Sequence, residues 1–599
     1  MRKPPSRLLR AIRSVVVLGL TVFFISTASS GFTQSAVNPS AKSSAGLTPD
    51  GARWVEKTMR RLSLEDKVAQ MIGCRYSGEF LPADGDQLAY LKRLVSKHKI
   101  GGLAIFLGEA YETAILNNAL QSASDVPLLM GSDLERGAGN QISGATLFPT
   151  IMGLGAAGSE ELAYAMGRTT ALEARAVGLH MTYAPVVDVN INPDNPIINT
   201  RAVGEDPALV ARIAAAFARG CQDNGLIATA KHFPGHGDTD QDSHILLPVI
   251  KADRARLDRV ELAPYRTLIA AGVGAIMISH LTAPALDPTP GLPATLSPAI
   301  LTGLLRGEMG FQGLIVTDAM EMGGVTNAFG PAEAALKAIQ AGCDIVLLPL
   351  EPETVVESLR EAVRKGVLTR ERIDASVRRI LEAKARLGLH RQRLVDIASL
   401  PSKLGTKAFT EQAAKTFEAA VTLVKNENAA LPLPASAKKL AVFSLSSDKG
   451  DYYAGRTFAN AVKARRAGTQ IFYADGDTGR DALYESVLQS AGADAYLVAL
   501  FSSLSAWKGS VGLDPRHVEL IRLLAAGDKP VIVLSFGSPY FLRDFPAVDA
   551  YLCLYRNQPQ MQTAAAKAVF GEIDVTGRLP VSIPGLAPAG TGVLLKRRP

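Results

Sequence analysis

The sequence predicts a (β/α)₈ barrel of the TIM type followed by a smaller α/β sandwich domain. Three observations carry that reading. Short apolar, β-rich runs alternate with longer amphipathic stretches from about residue 51, and eight such runs fall within ~300 residues, which fits a barrel better than an open sheet. Polar residues able to do chemistry stand at the C-terminal ends of these runs rather than at both ends. With 47% hydrophobic and 20% charged residues in 599, the chain is too apolar to be disordered and long enough for two or more packed domains.

In chain order, residues 1–30 open with Arg2, Lys3, Arg7, Arg10 and Arg13, continue with the apolar run Val15–Ile25, and end in small residues. That is the pattern of a secretory signal peptide. The run is shorter than the roughly 20 residues a spanning helix needs, and no cysteine follows it for lipidation. An exported protein, periplasmic or secreted and without a stable membrane anchor, is therefore expected. The five basic residues supply most of the net charge of +7, so the basic balance gives no reason to expect a nucleic-acid partner. Residues 31–50, rich in Ser, Ala, Gly and Pro, read as a flexible tether.

The barrel is expected over 51–390, with strands at Val68–Ile72, Ile100–Leu107, Pro127–Asp133, His180–Val189, Leu226–His232, Ala275–His280, Leu314–Asp318 and Asp344–Leu348. One helix follows Ser159, a capping residue with acidic residues in the turn after it. Asp133, Asp188, Lys231 with His232, His280 and Asp318 stand at or just past strand ends, and in a barrel those ends open onto the face that carries the chemistry. The basic helix Arg370–Leu389 precedes a polar linker at 391–415. The second domain, 416–599, has strands expected at Lys439–Leu445, Gln470–Ala474, Ala495–Phe501, Pro530–Phe536 and Ala550–Leu554.

The densest motif is Lys231–His244, KHFPGHGDTDQDSH, with three histidines and three aspartates in fourteen residues. Pro234, Gly235 and Gly237 make it a shaped loop after a strand, not a helix. It is not an EF-hand, because Ser243 stands where Gly is needed and Val249 where the bidentate Glu belongs. The histidine spacing is not that of a helical zinc pair either, so no metal is expected. Acid/base chemistry remains. Asp242 and His244, two residues apart, can hydrogen-bond directly, the carboxylate fixing the imidazole's tautomer. Asp318, at the mouth of the seventh strand, is placed to be a nucleophile or to cap the next helix. Gly153–Gly158 satisfies GxGxxG but follows no convincing strand, so a dinucleotide site is not expected. The widely spaced Cys74, Cys221, Cys343 and Cys553 exclude a disulfide scaffold and a CxxC zinc module, and read as buried free thiols.

With these residues in view, the chain resembles glycoside hydrolase family 3, in particular its bacterial β-N-acetylglucosaminidase (β-hexosaminidase) branch. The resemblance rests on the loop Lys231–His244, the segment Ala184–Asn190 continuing to Thr200–Pro207, and Val316–Met320. In the second domain it rests on Thr422–Asn428 and Gly577–Pro584. It implies Asp318 as catalytic nucleophile, His244 as general acid/base and Asp242 as its partner. It also implies Asp133, Arg201, Lys231 and His232 as the residues that hold the sugar's hydroxyls. The family commonly has Asp-x-Glu-Gly-Gly-Arg, whereas here Asp133-Leu-Glu-Arg-Gly-Ala138 puts alanine where that arginine would fall, and Arg136 is left out of the binding set.

The implied activity is retaining, exo-acting hydrolysis of terminal β-linked N-acetylglucosamine, with peptidoglycan fragments or chitin-type oligosaccharides as carbohydrate substrate and no cofactor. Phosphorolysis of the same bond is a second reading, since an imidazole repels incoming phosphate less than a carboxylate would. A non-catalytic cell-wall-binding protein is a third, disfavoured by the presence of nucleophile, acid/base and orienter together.

Overall fold

The computed structural model describes residues 46–502 and 512–598. The segment read as a signal peptide and most of the segment read as tether lie outside the described residues. The fold begins at Pro49, two residues inside the segment read as tether, in a helix (Pro49–Arg61) whose cap, Thr48, accepts from Gly51 N at 3.1 Å. Among the described residues no helix is long and apolar enough to cross a membrane.

Eight strands form the ring of the first sheet: β1 (Ile72–Gly78), β2 (Gly102–Glu109), β3 (Leu129–Ser132), β4 (Met181–Thr182), β5 (Ile227–Phe233), β6 (Ala275–Ile278), β7 (Leu314–Thr317) and β8 (Val346–Leu347); a ninth, the two-residue strand Ile142–Ser143, pairs with β2 off the ring. Each pairs in parallel with its sequence neighbour from β1 to β7, and β8 returns to β1 through Ile72↔Val346 and Gly73↔Leu347. Thr317 N donates to Ile345 O (3.0 Å) and Asp344 N to Ile315 O (2.8 Å), which brings β7 against β8 and closes the ring. Helices fill the crossovers, among them Glu160–Ala176, where Ser159 accepts from Leu162 N as the sequence predicts.

Two strands differ from expectation. Val68 and Ala69 end a helix, Leu64–Ala69, because Ser63 caps it and Glu65 and Asp66 fill its first turn. The first strand lies four residues later, masked in the sequence by its exposed Arg75. Of the run His180–Val189 only Met181 and Thr182 pair as strand, since Pro185 withholds a ladder donor. The GxGxxG segment is a helix, Ile151–Ala157, ending on Gly158 at φ +64°, so it offers no phosphate-binding turn.

The second sheet comprises β9 (Thr422–Asn426), β10 (Leu440–Ser446), β11 (Gln470–Ala474), β12 (Ala495–Phe501), β13 (Val531–Ser535) and β14 (Ala550–Cys553), in the order β9-β14-β13-β12-β10-β11. Only β9, absent from the sequence prediction, is antiparallel. Alternate residues face opposite helix layers: Val442 and Leu497 pack with Phe458 and Met561, whereas Phe443 and Val498 pack with Leu483 and Leu524. The segment read as linker is structured, with a short 3₁₀ turn at Ile397–Ser402 and a helix, Lys407–Ala420, that runs into the second domain.

Polar contacts seat this domain on loops beyond β3 and β4. Gln558 Nε2 donates to Phe148 O and Asn190 Nδ2 to Tyr540 Oη, both at 2.8 Å, and Ser582 N donates to Glu205 Oε2 at 2.7 Å. All four cysteines are buried and unpaired.

Candidate active site

A cavity of about 350 Å³ opens at the C-terminal ends of the barrel strands. Of the residues singled out from sequence, Asp133, Arg201, Lys231, His232, His244 and Asp318 line it, and Asp242 lies buried behind His244.

Asp318 follows β7 directly. Its backbone is fixed because Asp318 N donates to Ile278 O at 2.8 Å and Met320 N to Leu347 O at 2.9 Å. Its Oδ1 accepts from Ala319 N at 2.8 Å. Burial pushes the carboxyl up, but the nearby charges of His232, His280 and His244 and the Ala319 N–H outweigh it and hold the pKa at about 2. His280 has one ring nitrogen 3.0 Å from Ala319 O and the other 2.7 Å from Thr295 Oγ1, bracing the backbone just past Asp318.

The loop after β5 does not gather its histidines around one point. His232 Nδ1 lies 2.8 Å from Asp188 Oδ2. His236 N donates to Asp188 Oδ1 at 2.7 Å, while its ring meets Thr239 Oγ1 (2.6 Å) and Ser243 Oγ (2.9 Å). Burial pulls the His236 imidazole down to about 4, so it is neutral and structural. His244 Nδ1 lies 2.7 Å from Asp242 Oδ1, which also accepts from His244 N at 2.9 Å. An ionised carboxylate only accepts, so Nδ1 carries the proton and Nε2 is the nitrogen left for chemistry. The loop docks on the turn past Asp318: Gly323 N donates to His244 O (3.0 Å) and Gly324 N to Ser243 O (3.2 Å). A Cβ at 323 would stand 2.6 Å from Ile245 O, so glycine permits the close approach.

The opposite wall is a charge network. Lys231 Nζ donates to Asp133 Oδ1 (2.6 Å) and meets Glu135 Oε1 (2.8 Å), and Arg201 forks onto both Glu135 oxygens (2.7 and 3.1 Å). Burial works against the charges of Glu135, Arg201 and Lys231. The cations nonetheless hold Glu135 well below the usual carboxylate range, and Asp133 and Glu135 hold Lys231 above its ordinary value.

Sequence reasoning missed four residues of this site. Glu135 sits two residues after Asp133, a spacing that puts both on one loop. Asp188 had been recognised at a strand end but given no role, although it anchors both His232 and His236. Arg136, set aside because the family pattern fails at Ala138, lines the cavity and donates through Nε to Asn140 Oδ1 at 2.7 Å. Arg556, from the second domain, lines it too, and nothing local in the sequence marks it.

A closed parallel barrel does its chemistry at this face, and here the face holds a buried ionised carboxylate, an aspartate-bound imidazole and a hydrogen-bonding charge network around one cavity. The protein is thus a barrel enzyme. More narrowly, the chain belongs to glycoside hydrolase family 3: the model of the family's N-terminal domain matches residues 63–383 and that of its C-terminal domain residues 421–589. Membership makes it an enzyme of glycosidic bonds.

A β-N-acetylglucosaminidase/β-glucosidase of Cellulomonas fimi is 31% identical over 89% of this chain and 96% of its own. Among solved structures, a family 3 β-N-acetylglucosaminidase from Paenibacillus sp. str. FPU-7 matches with a TM-score of 0.78 and 33% identity, covering 87% of this chain and 99% of that one. The β-glucoside phosphorylase BglX, bound to 2FGlc, matches with a TM-score of 0.80 and 28% identity, covering 90% and 97%.

Proposed function

We propose that the enzyme removes terminal β-linked N-acetylglucosamine from peptidoglycan fragments or chitin-type oligosaccharides, with retention at the anomeric carbon. The observation that carries this reading is one cavity holding both Asp318 and the Asp242-oriented His244, in a chain whose relatives include named β-N-acetylglucosaminidases.

Asp318 Oδ2 attacks the anomeric carbon as protonated His244 gives its Nε2 proton to the departing oxygen, breaking the glycosidic bond and forming a glycosyl ester. Neutral His244 then takes a proton from water, whose oxygen attacks the same carbon and releases Asp318. An imidazole, with an ordinary pKa of about 6.5, suits both halves near neutral pH. Asp242 keeps Nδ1 protonated throughout. Asp133, Lys231, Arg201 and His232 hold the sugar's hydroxyls. The leader at residues 1–30 sends the enzyme outside the cytoplasmic membrane, where it meets wall fragments or oligosaccharides before uptake.

Phosphorolysis is the second reading, supported by the histidine acid/base and by the likeness to BglX. The deciding experiment is a panel of aryl β-glycosides differing at the 2-position, with and without phosphate. The expected result is preference for the 2-acetamido sugar and free N-acetylglucosamine as product in both conditions. A phosphate-dependent sugar 1-phosphate would replace hydrolysis by phosphorolysis, and no turnover of any glycoside would refute both. N-terminal sequencing of protein from fractionated cells tests export: a mature terminus near residues 28–36 is expected, and an intact Met1 on cytosolic protein would remove the claim.

A further inference from the structure

Five basic side chains besides the histidines line the cavity, and three have their own carboxylates: Arg75 with Glu321 at 2.6 Å, Arg201 with Glu135, and Lys231 with Asp133 and Glu135. Arg136 and Arg556 have none among the described residues. Burial pulls both guanidinium groups down, Arg136 to about 9, and the neighbouring charge of Arg556 adds to the shift of Arg136. Glu135, already engaged by Arg201 and Lys231, is the anion that offsets them, and two partly buried cations sharing so little counter-charge are an expensive arrangement for a fold to keep.

The backbone is strained to present one of them. Arg556 N donates to Leu554 O at 2.8 Å, closing a γ-turn on Tyr555 at φ +65°. This hand of γ-turn is rare, and strain of this kind concentrates at functional sites. Tyr555 is 1% exposed and its hydroxyl donates to Thr422 Oγ1 at 2.8 Å, so packing holds the turn.

A third observation is independent of charge. Behind Arg556 a smaller cavity of about 150 Å³ has Asn199, Thr200, Ser538 and Asn557 among its polar lining, with Phe536 and Phe541 beside them. Asn199 is 1% exposed, and its Nδ2 has no acceptor among the described residues. A buried amide donor without an acceptor costs about 1–3 kcal/mol unless a ligand supplies one. Two cations without an ion-pair partner of their own and a donor lacking an acceptor meet at Arg556, which lines both cavities.

We propose that Arg136, Arg556 and Asn199 form an oxyanion subsite at the junction of barrel and second domain, which takes a carboxylate, phosphate or sulfate group carried by the substrate. The arginines neighbour Glu135 and Arg201 on the wall that holds the sugar's hydroxyls, whereas Asp318 is surrounded by His232, His280 and His244. The anion therefore belongs to a substituent on the sugar rather than to a nucleophile attacking the anomeric carbon. The location rests on the glycosidase reading of the cavity, but anion binding is measurable without turnover.

The test uses the full chain with inorganic sulfate and inorganic phosphate as probes, by calorimetry and as inhibitors of a neutral aryl β-N-acetylglucosaminide, alongside the 6-O-sulfated form of that glycoside. Both ions should bind and compete with the neutral glycoside. Arg136→Gln and Arg556→Gln should each weaken binding about tenfold or more, as expected for lost charge-assisted hydrogen bonds. The kcat/KM ratio of sulfated to neutral glycoside should fall in step. Asn199→Asp, nearly isosteric, places an internal carboxylate beside Arg556 and should abolish ion binding in a protein that stays folded. Absence of calorimetric binding in the parent protein, or binding unchanged in all three variants, overturns the subsite. Sugar 1-phosphate formed from free phosphate and lost in the arginine variants overturns the assignment to a substrate-borne group. If no glycoside is turned over, the functional reading fails and calorimetry still decides the subsite.

Discussion

Asp318 and Asp344 stand on neighbouring strands at opposite ends of the barrel, and they are held in opposite ways. Asp344, just before β8, is fully buried and its two oxygens accept four donors: Ser376 Oγ and Arg379 Nη1 on one, Arg306 Nη2 and Ile315 N on the other. Asp318, just past β7, has a single donor, Ala319 N on Oδ1, and Oδ2 accepts from no described residue. The lysines repeat the contrast. Lys231 at the mouth meets two carboxylates, whereas Lys384 at the closed end meets, among the described residues, only Gln70 Oε1 at 2.9 Å, and burial pulls its pKa down to about 7. A saturated carboxylate supports the fold. One left a bare oxygen in a cavity is available to a reacting carbon.

The sharpest way to break the comparison is to neutralise each aspartate. Asp318→Asn should cut turnover on the order of ten-thousandfold or more while leaving the melting temperature nearly unchanged, and a 2-fluoro glycoside should label the Asp318 peptide of the parent enzyme. Label on any other carboxylate would overturn the assignment. Asp344→Asn should do the reverse, destabilising by about 3–5 kcal/mol because its arginines lose their partner, with kcat per folded molecule within a few-fold of the parent. Loss of kcat without loss of stability in that variant would erase the distinction between the two ends.

The next effect concerns proton transfer. His244→Ala should cost about a hundredfold to ten-thousandfold on substrates with poor leaving groups, and Asp242→Ala less, since the imidazole survives without its orienter. In the glycosylation step both losses should shrink on activated aryl glycosides. Equal loss on activated and unactivated substrates would argue against proton donation by His244.

The smallest effect separates the two lysines. The Lys384 pKa is near 7 in the fold, against an ordinary 10.5. Between those values the unfolded chain holds a proton that the folded chain has released, so stability rises with pH across this window. Below about 7 both states are charged and the full cost of burial is present. Lys384→Met should therefore show its largest melting-temperature gain over the parent below pH 7, shrinking toward pH 10. A gain independent of pH would mean that the lysine is not desolvated as described.

The same two ends explain what the sequence made legible. Strand-end polar residues at the mouth stand out against apolar runs, so Asp133, Lys231, His232 and Asp318 could be read directly, and the His loop announced itself by composition. β1 was displaced because Val68 and Ala69 look like strand residues, while Ser63, Glu65 and Asp66 make them the end of a helix. β9 pairs only with β14, more than a hundred residues away, so no local pattern distinguishes it from a connecting segment. Arg136 was hidden by trust in a motif that fails at Ala138, although its own loop carries it into the cavity. Arg556 lies in another domain, and only the seating of that domain on the loops beyond β3 and β4 and the turn at Tyr555 bring it to the mouth.

The paired bonds from Gly323 and Gly324 to the carbonyls of His244 and Ser243 have a consequence for timing. In the proposed cycle two opposite proton movements occur at one imidazole, the first toward a departing oxygen and the second from an arriving water, with the same carbon between them. If the imidazole and the carboxylate drifted independently, a geometry tuned for the first event would be lost before the second. The glycine clasp ties the segment bearing one to the turn following the other, and displacing either would break both bonds. In that proposed cycle the spacing set for bond cleavage persists through the life of the ester, leaving the exchange of leaving group for water as the change between its two halves.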